Sequence, residues 1–83
     1  MAGRLEGKVA AITGAASGFG AGATRRFIEE GGKVVMGDIQ DDAGQALADE
    51  LGDAALYVHC DVTKEDEVAN MVDTAVAHYG QLD

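Results

Sequence analysis

Seven residues, Gly14-Ala15-Ala16-Ser17-Gly18-Phe19-Gly20, constrain this chain more than any others. They directly follow the apolar run Val9-Ala10-Ala11-Ile12-Thr13. Such a run, ended by a glycine, reads as a strand buried on both faces, the kind found in parallel sheets. A helix should follow from about Gly20 to Glu30, with Ala23, Phe27 and Ile28 inward and Gly31-Gly32 as its left-handed stop. A glycine loop in that position either merely connects two elements or binds an anion. The first helical turn leaves backbone N–H groups free, its dipole favours negative charge, and glycine has no Cβ to hold a ligand away. A pyrophosphate is the natural guest, and the strand-loop-helix context favours binding. The spacing is G-x3-G-x-G. A G-x-G-x-x-A match starting at Gly18 begins too far past Thr13 to be the first turn, so it is a decoy.

Two further strand-helix units follow. Lys33–Asp38 reads as the second strand. Asp41 can cap a second helix whose Ala43, Ala46, Leu47 and Leu51 form an apolar stripe, ended by Gly52. Ala55–Cys60 reads as the third strand. Thr63 and Asp66 resemble a capping box, and Val68, Met71, Val72, Ala75, Val76 and Tyr79 recur at helical spacing up to Gly80. Leu82-Asp83 looks like the approach to a fourth strand. The order β-α-β-α-β-α implies an α/β fold, the N-terminal part of a doubly wound, Rossmann-type parallel sheet.

Asp38 ends the second strand, twenty residues after Gly18. A carboxylate there can accept hydrogen bonds from both ribose hydroxyls of an adenosine and would repel a 2′-phosphate. Ser17 and Ile39, the positions that could offset that repulsion, are not basic, so NAD is preferred to NADP. Asp61, after the third strand, could hydrogen-bond an adenine amino group with the Val62 backbone beside it. From spacing alone, a turn residue before a Thr63 cap is the better reading.

Composition narrows the partners. The net charge of −9 argues against nucleic acid or an anionic membrane surface. The charge is uneven: residues 1–37 hold five bases and three acids, and residues 38–83 hold one base and twelve acids. An anion would sit at the less negative first part, although solvated helix faces explain the pattern more simply. Arg25 and Arg26 likewise read as surface residues. The single cysteine, Cys60, cannot form an internal disulfide and fits a reducing cytoplasm as an inert buried thiol. His59 and His78 show no metal-ligand spacing, so no metal site is expected. Neither a signal-peptide core in Met1–Lys8 nor a run of 18 apolar residues is present.

Taken together, Thr13-Gly14-x3-Gly18-x-Gly20, Asp38 and Asp61-Val62 resemble the N-terminal part of a short-chain dehydrogenase/reductase. Leu5-Glu6-Gly7-Lys8-Val9-Ala10 and Tyr79-Gly80-Gln81-Leu82-Asp83 add to the likeness. The resemblance implies that Gly14, Ser17, Gly18, Phe19 and Gly20 surround the pyrophosphate and adjoining ribose. It implies that Asp38 and Ile39 hold the adenosine ribose and flank the adenine, and that Asp61 and Val62 contact the adenine. Phe19 stands where the family usually has Ile or Leu. The resemblance further implies an NAD-dependent oxidoreductase that moves hydride between the cofactor and a small alcohol or ketone, commonly as a homo-tetramer. The family's fourth strand pairs beside the first, so Val9–Thr13 should be a sheet edge here.

Residues 1–83 are expected to form a partial NAD-binding domain with no catalytic residue. The family's catalytic serine and Tyr-x3-Lys pair lie farther on, Tyr57 and Tyr79 are not followed by lysine at that spacing, and the only serine is Ser17. The expectation is therefore a fragment, a truncation or part of a longer polypeptide, silent by itself. Other readings stay open at this point: a stand-alone adenine-dinucleotide-binding module, an S-adenosylmethionine-dependent methyltransferase segment, or an acidic interaction domain.

Overall fold

The computed structural model describes residues 5–83. Met1–Arg4, and with them part of the Met1–Lys8 leader reading, lie outside the described residues. The elements run β1 (Val9–Thr13), α1 (Gly18–Glu29), β2 (Lys33–Asp38), α2 (Asp41–Leu51), a 3-10 turn (Gly52–Ala54), β3 (Ala55–His59) and α3 (Glu65–Tyr79). The sheet is parallel, with β2 between β1 and β3. The register sets Thr13 beside Gly37 and Asp38 beside His59, so the C-terminal strand ends lie side by side. This is the β-α-β-α-β-α, Rossmann-type arrangement expected from the sequence.

Alternation along β2 divides the core. Val34 and Met36 face one layer with Ala15, Leu47 and Ala48, where Ile12, Phe27, Ile28 and Tyr57 also pack. Val35 faces the other layer with Cys60, Met71 and Ala75. Helices α1 and α2 therefore cover one face of the sheet and α3 the other. Burial of apolar surface on both faces is the main stabilising term of such a sheet.

The strand buried on both faces is β2, not β1. Val34–Asp38 are all buried, whereas Ala11 and Thr13 of β1 are exposed. The reason is position: β1 lies at the edge, with a neighbour on one side only. Its open side is met at one point, where the Asp83 N–H donates to the Val9 carbonyl at 2.9 Å and the Val9 N–H donates to the Asp83 carboxylate at 2.9 Å. Asp83 thus bonds to the open side of β1, through its backbone and its carboxylate. The Val9 N–H, with the Gln81 side-chain amide, holds the Asp83 carboxyl below its usual range.

The helices differ from the sequence expectation mainly in rotation. Helix α1 starts at Gly18, two residues early, because the Ser17 Oγ accepts the Gly20 N–H and caps it. Its buried residues are Gly20 and Thr24, while Ala23 is exposed. In α2 the inward residues are Gly44, Leu47 and Ala48, with Ala43 and Ala46 exposed. A pattern of small alanines cannot specify which side of a helix faces the sheet. Here the Tyr57 ring decides it, by lying where a Cβ on Gly44 would sit. Val72 and Val76 of α3 are exposed as well, leaving Met71 and Ala75 as its buried centre.

Two caps expected from the sequence are absent. Gln40, not Asp41, precedes α2, and it makes no side-chain capping bond. Helix α3 starts after Lys64, also without a side-chain cap. Asp41 and Thr63 are both occupied elsewhere, at the C-terminal ends of the strands. Strand β3 ends at His59, and Cys60 lies buried just beyond it.

Candidate functional site

The loop after β1 folds back on itself. Gly14 has φ +65°, which glycine adopts without the steric cost of a side chain. This turn lets the Gly14 carbonyl accept both the Ser17 N–H at 3.1 Å and the Ser17 hydroxyl at 2.7 Å. The loop is then tied to β2. Ala15 N–H donates to the Gly37 carbonyl at 3.2 Å, and Ala16 N–H donates to Asp38 Oδ2 at 2.9 Å. Gly20 packs so closely against the loop that an added Cβ would lie 2.0 Å from the Gly14 oxygen. Once these bonds are made, the N–H groups of Gly18 and Phe19 have no acceptor among the described residues. A Cβ on Gly18 would point into open space, and Phe19 is 93% exposed. The first turn of α1 therefore presents two unpaired amides and the positive end of its dipole to solvent.

Asp38 stands beside this turn. Its side chain is buried and accepts three backbone amides: Ala16 on Oδ2, and Ile39 (2.7 Å) and Gln40 (3.1 Å) on Oδ1. Burial alone would raise its pKa, but the Gln40, Ala16 and Ile39 amides together hold it below the usual aspartate range. The carboxylate is thus charged, and Oδ2, with one donor, retains capacity for another.

Asp38 also lines a cleft of about 190 Å³ with Gly14, Ile39, Cys60, Asp61 and Val62. Ile39 and Val62 are both more than 60% exposed, forming apolar lips on its two sides. The fold therefore brings Gly14, Asp38, Ile39, Asp61 and Val62 to one cleft. Ser17, Gly18, Phe19 and Gly20 sit at the adjoining start of α1, outside the cleft lining. Asp61 is a turn residue in the first instance: its Oδ1 accepts the Thr63 N–H at 2.9 Å and the Thr63 hydroxyl at 2.7 Å. These two bonds hold its carboxyl below the usual range. Cys60 stays a thiol, because burial, Glu67 and Asp61 push its pKa up.

Sequence reasoning missed the residues that brace this cleft. The Tyr57 hydroxyl lies 2.7 Å from the Asp38 carbonyl and 2.5 Å from Asp41 Oδ1, and shares its single hydrogen between them. Asp41 Oδ1 also meets His59 Nδ1 at 2.8 Å. The signal available was the period of two: Tyr57 and His59 alternate along β3 and so share a face. Tyr57→Phe should lower stability by about 1 kcal/mol, the usual net contribution of one such hydrogen bond. Urea unfolding of the full-length polypeptide checks this, and an unchanged midpoint would contradict the bracing role. Arg25 pairs with Glu50, and Arg26 lies 3.5 Å from Glu30, so both arginines are engaged on the helix surfaces.

Comparison with known proteins gives a consistent family. The short chain dehydrogenase family pattern matches residues 8–83. The chain is 68% identical over 80 residues to tropinone reductase-like 2 of Erythroxylum coca, covering 96% of this chain and 29% of that protein. It is 54% identical over 80 residues to (+)-borneol dehydrogenase 1 of Salvia officinalis, covering 96% and 31% respectively. Among solved structures, the 3-ketoacyl-(acyl-carrier-protein) reductase of Brucella melitensis complexed with NADH superposes with a TM-score of 0.91 at 48% identity. That match covers 95% of this chain and 32% of the reductase. The chain thus spans about 30% of the length of these relatives.

Proposed function

This chain belongs to the short chain dehydrogenase family, and from that premise we propose that residues 1–83 hold NAD for a hydride transfer completed by a longer polypeptide. One observation carries the reading: two unpaired amides at the start of α1, with open space off Gly18, adjoin a cleft headed by an ionised Asp38. Family membership, with the resemblance to an NADH-complexed reductase, favours a nicotinamide dinucleotide over S-adenosylmethionine.

In this reading the Gly18 and Phe19 amides face the pyrophosphate, while Gly14, Ser17 and Gly20 hold the turn that aims them. Asp38 Oδ2 accepts from the adenosine ribose. Ile39 and Val62 flank the adenine, and Asp61 meets its amino group. The ionised, buried Asp38 disfavours a 2′-phosphate, and neither Ser17 nor Ile39 supplies a compensating positive charge, which selects NAD over NADP. Bound NAD supplies a hydride acceptor or, reduced, a hydride donor. This segment binds and orients it, and the rest of the polypeptide supplies the proton donor and the substrate pocket. Names such as borneol dehydrogenase and tropinone reductase-like support a small secondary alcohol or ketone as substrate of the whole enzyme. Family resemblance supports a homo-oligomer, and the single cysteine fits a reducing cytoplasm. Among the described residues, no helix is long and apolar enough to cross a membrane.

Calorimetric titration of the full-length polypeptide tests the reading. NAD should bind at least about tenfold more tightly than NADP, given the charge repulsion at Asp38. Gly18→Val should abolish measurable NAD binding and leave the unfolding midpoint unchanged, because the added side chain meets solvent rather than protein. Equal affinity for NADP, or full NAD affinity in Gly18→Val, would overturn the assignment.

A further inference from the structure

One titratable side chain outside the cleft lining bridges the elements that carry its two lips. His59 closes β3, with Nδ1 2.8 Å from Asp41 Oδ1 and Nε2 3.4 Å from Glu67 Oε1. Asp41 opens α2 immediately after Ile39-Gln40, the first lip. Glu67 lies in the first turn of α3, and its Oε1 accepts the Asp61 N–H at 2.9 Å, which ties it to the second lip. The imidazole thus stands between the two carboxylates that anchor opposite sides of one cleft. We propose that His59, protonated on both nitrogens, is a positioning residue that clasps these lips together and tightens the hold on adenosine. The proposal rests on the reading that adenosine lies between Ile39 and Val62.

The chemistry follows from the donor inventory. An imidazolium donates from both ring nitrogens, whereas a neutral imidazole donates from one and turns a lone pair on the other carboxylate. Deprotonation therefore breaks one side of the clasp. The groups facing His59 are Asp41 from α2, Glu67 from α3, Lys64 just before α3, and Asp61 in the preceding turn. The Asp41 hydrogen bond leads in raising the His59 pKa, desolvation opposes it, Asp41 and Glu67 charges add to it and Lys64 subtracts. The clasp is therefore closed at low pH and opens as pH rises through the raised pKa. Reciprocity requires that bound dinucleotide favour His59 protonation by the same factor that protonation favours binding.

The test is NAD titration of the full-length polypeptide from about pH 5.5 to 8.5, with the His59 ring followed by NMR. Wild-type affinity should fall about three- to tenfold across that range, and saturating NAD should raise the His59 pKa by about 0.5 to 1. His59→Gln, which cannot titrate, should remove the slope. Glu67→Gln should also flatten it, since the amide oxygen can still accept from Asp61 but no longer attracts the imidazolium. A general charge effect would instead leave the slope in Glu67→Gln intact. A slope that persists in either variant, or a His59 pKa unmoved by NAD, overturns the clasp. The Asp38→Ala variant separates the two readings. If it binds NAD poorly while the wild-type slope is flat, only the clasp fails. If it binds NAD normally, or if NAD gives no heat at any pH, the cleft assignment fails and the clasp with it.

Discussion

Replacing Gly20 by valine should destabilise the full-length polypeptide by about 3 kcal/mol or more, the upper range for forcing atoms into a packed site. The expected cause is backbone contact. An ideal Cβ at position 20 lies 2.0 Å from the Gly14 oxygen, 2.7 Å from the Gly14 carbonyl carbon and 2.9 Å from Ala15 Cα. None of these atoms can rotate away as a flexible side chain could. The Gly14 carbonyl is also held from the other side by the Ser17 N–H and hydroxyl. Relief therefore requires the loop to leave α1, breaking the Ser17 cap and displacing the amides of Gly18 and Phe19. Gly20→Ala should already lower the urea midpoint clearly, and a wild-type midpoint in that variant would refute the close approach. The contrast with Gly18→Val is diagnostic, since one glycine makes room for protein and the other for a ligand.

Asp38→Ala should cost about 2–3 kcal/mol of stability and weaken NAD binding about 100-fold. Three backbone amides lose their charged acceptor at once, and hydrogen bonds to charged groups contribute about 1.5–3 kcal/mol each when partners are removed singly. Water entering the cleft recovers part of that loss. The ligand effect is larger because the same side chain both receives the ribose and holds the Ala16 amide, which positions the glycine loop. The pH dependence has a definite sign. The native pKa is depressed, so the Asp38 contribution is fully present above the ordinary aspartate value and is lost as pH falls through the lower native one. Acid unfolding of wild type and Asp38→Ala should therefore converge at low pH. Parallel curves down to the most acid conditions would show that the three amide bonds do not govern the charge.

Much of this architecture was legible in the residues. Strand β1 was bounded correctly at Val9–Thr13 and β2 at Lys33–Asp38, because glycines and charged residues punctuate short apolar runs. Gly31, Gly52 and Gly80 all take positive φ where they end helices, as their placement suggested. The misplacements have a shared cause. Ala23, Ala43 and Ala46 fit an apolar stripe by type, but methyl groups bury little area and do not fix a helix's rotation. A larger neighbour does so, as the Tyr57 ring does for α2 by lying over Gly44. Likewise, Asp41 and Thr63 have the side chains of capping residues, yet other partners drew both away, tertiary ones for Asp41 and a turn two residues back for Thr63. Asp41 serves Tyr57 and His59, and Thr63 serves Asp61. Local preferences of about 1 kcal/mol are readily outbid by such contacts.

Sequence by itself determined the alternation of strands and helices, the glycine turn after β1, and the acid that closes β2. Those features depend on residue type and spacing along a few consecutive positions, which is local information. Tertiary structure decided which residues of β1 lie exposed, Ala11 and Thr13, while the central β2 is buried from Val34 to Asp38. It also decided that Asp38 grips Ala16 across 22 positions and that His59 reaches Asp41 and Glu67 on separate helices. Distances between residues far apart in the chain are set by how the layers pack, and no pattern within one segment encodes them.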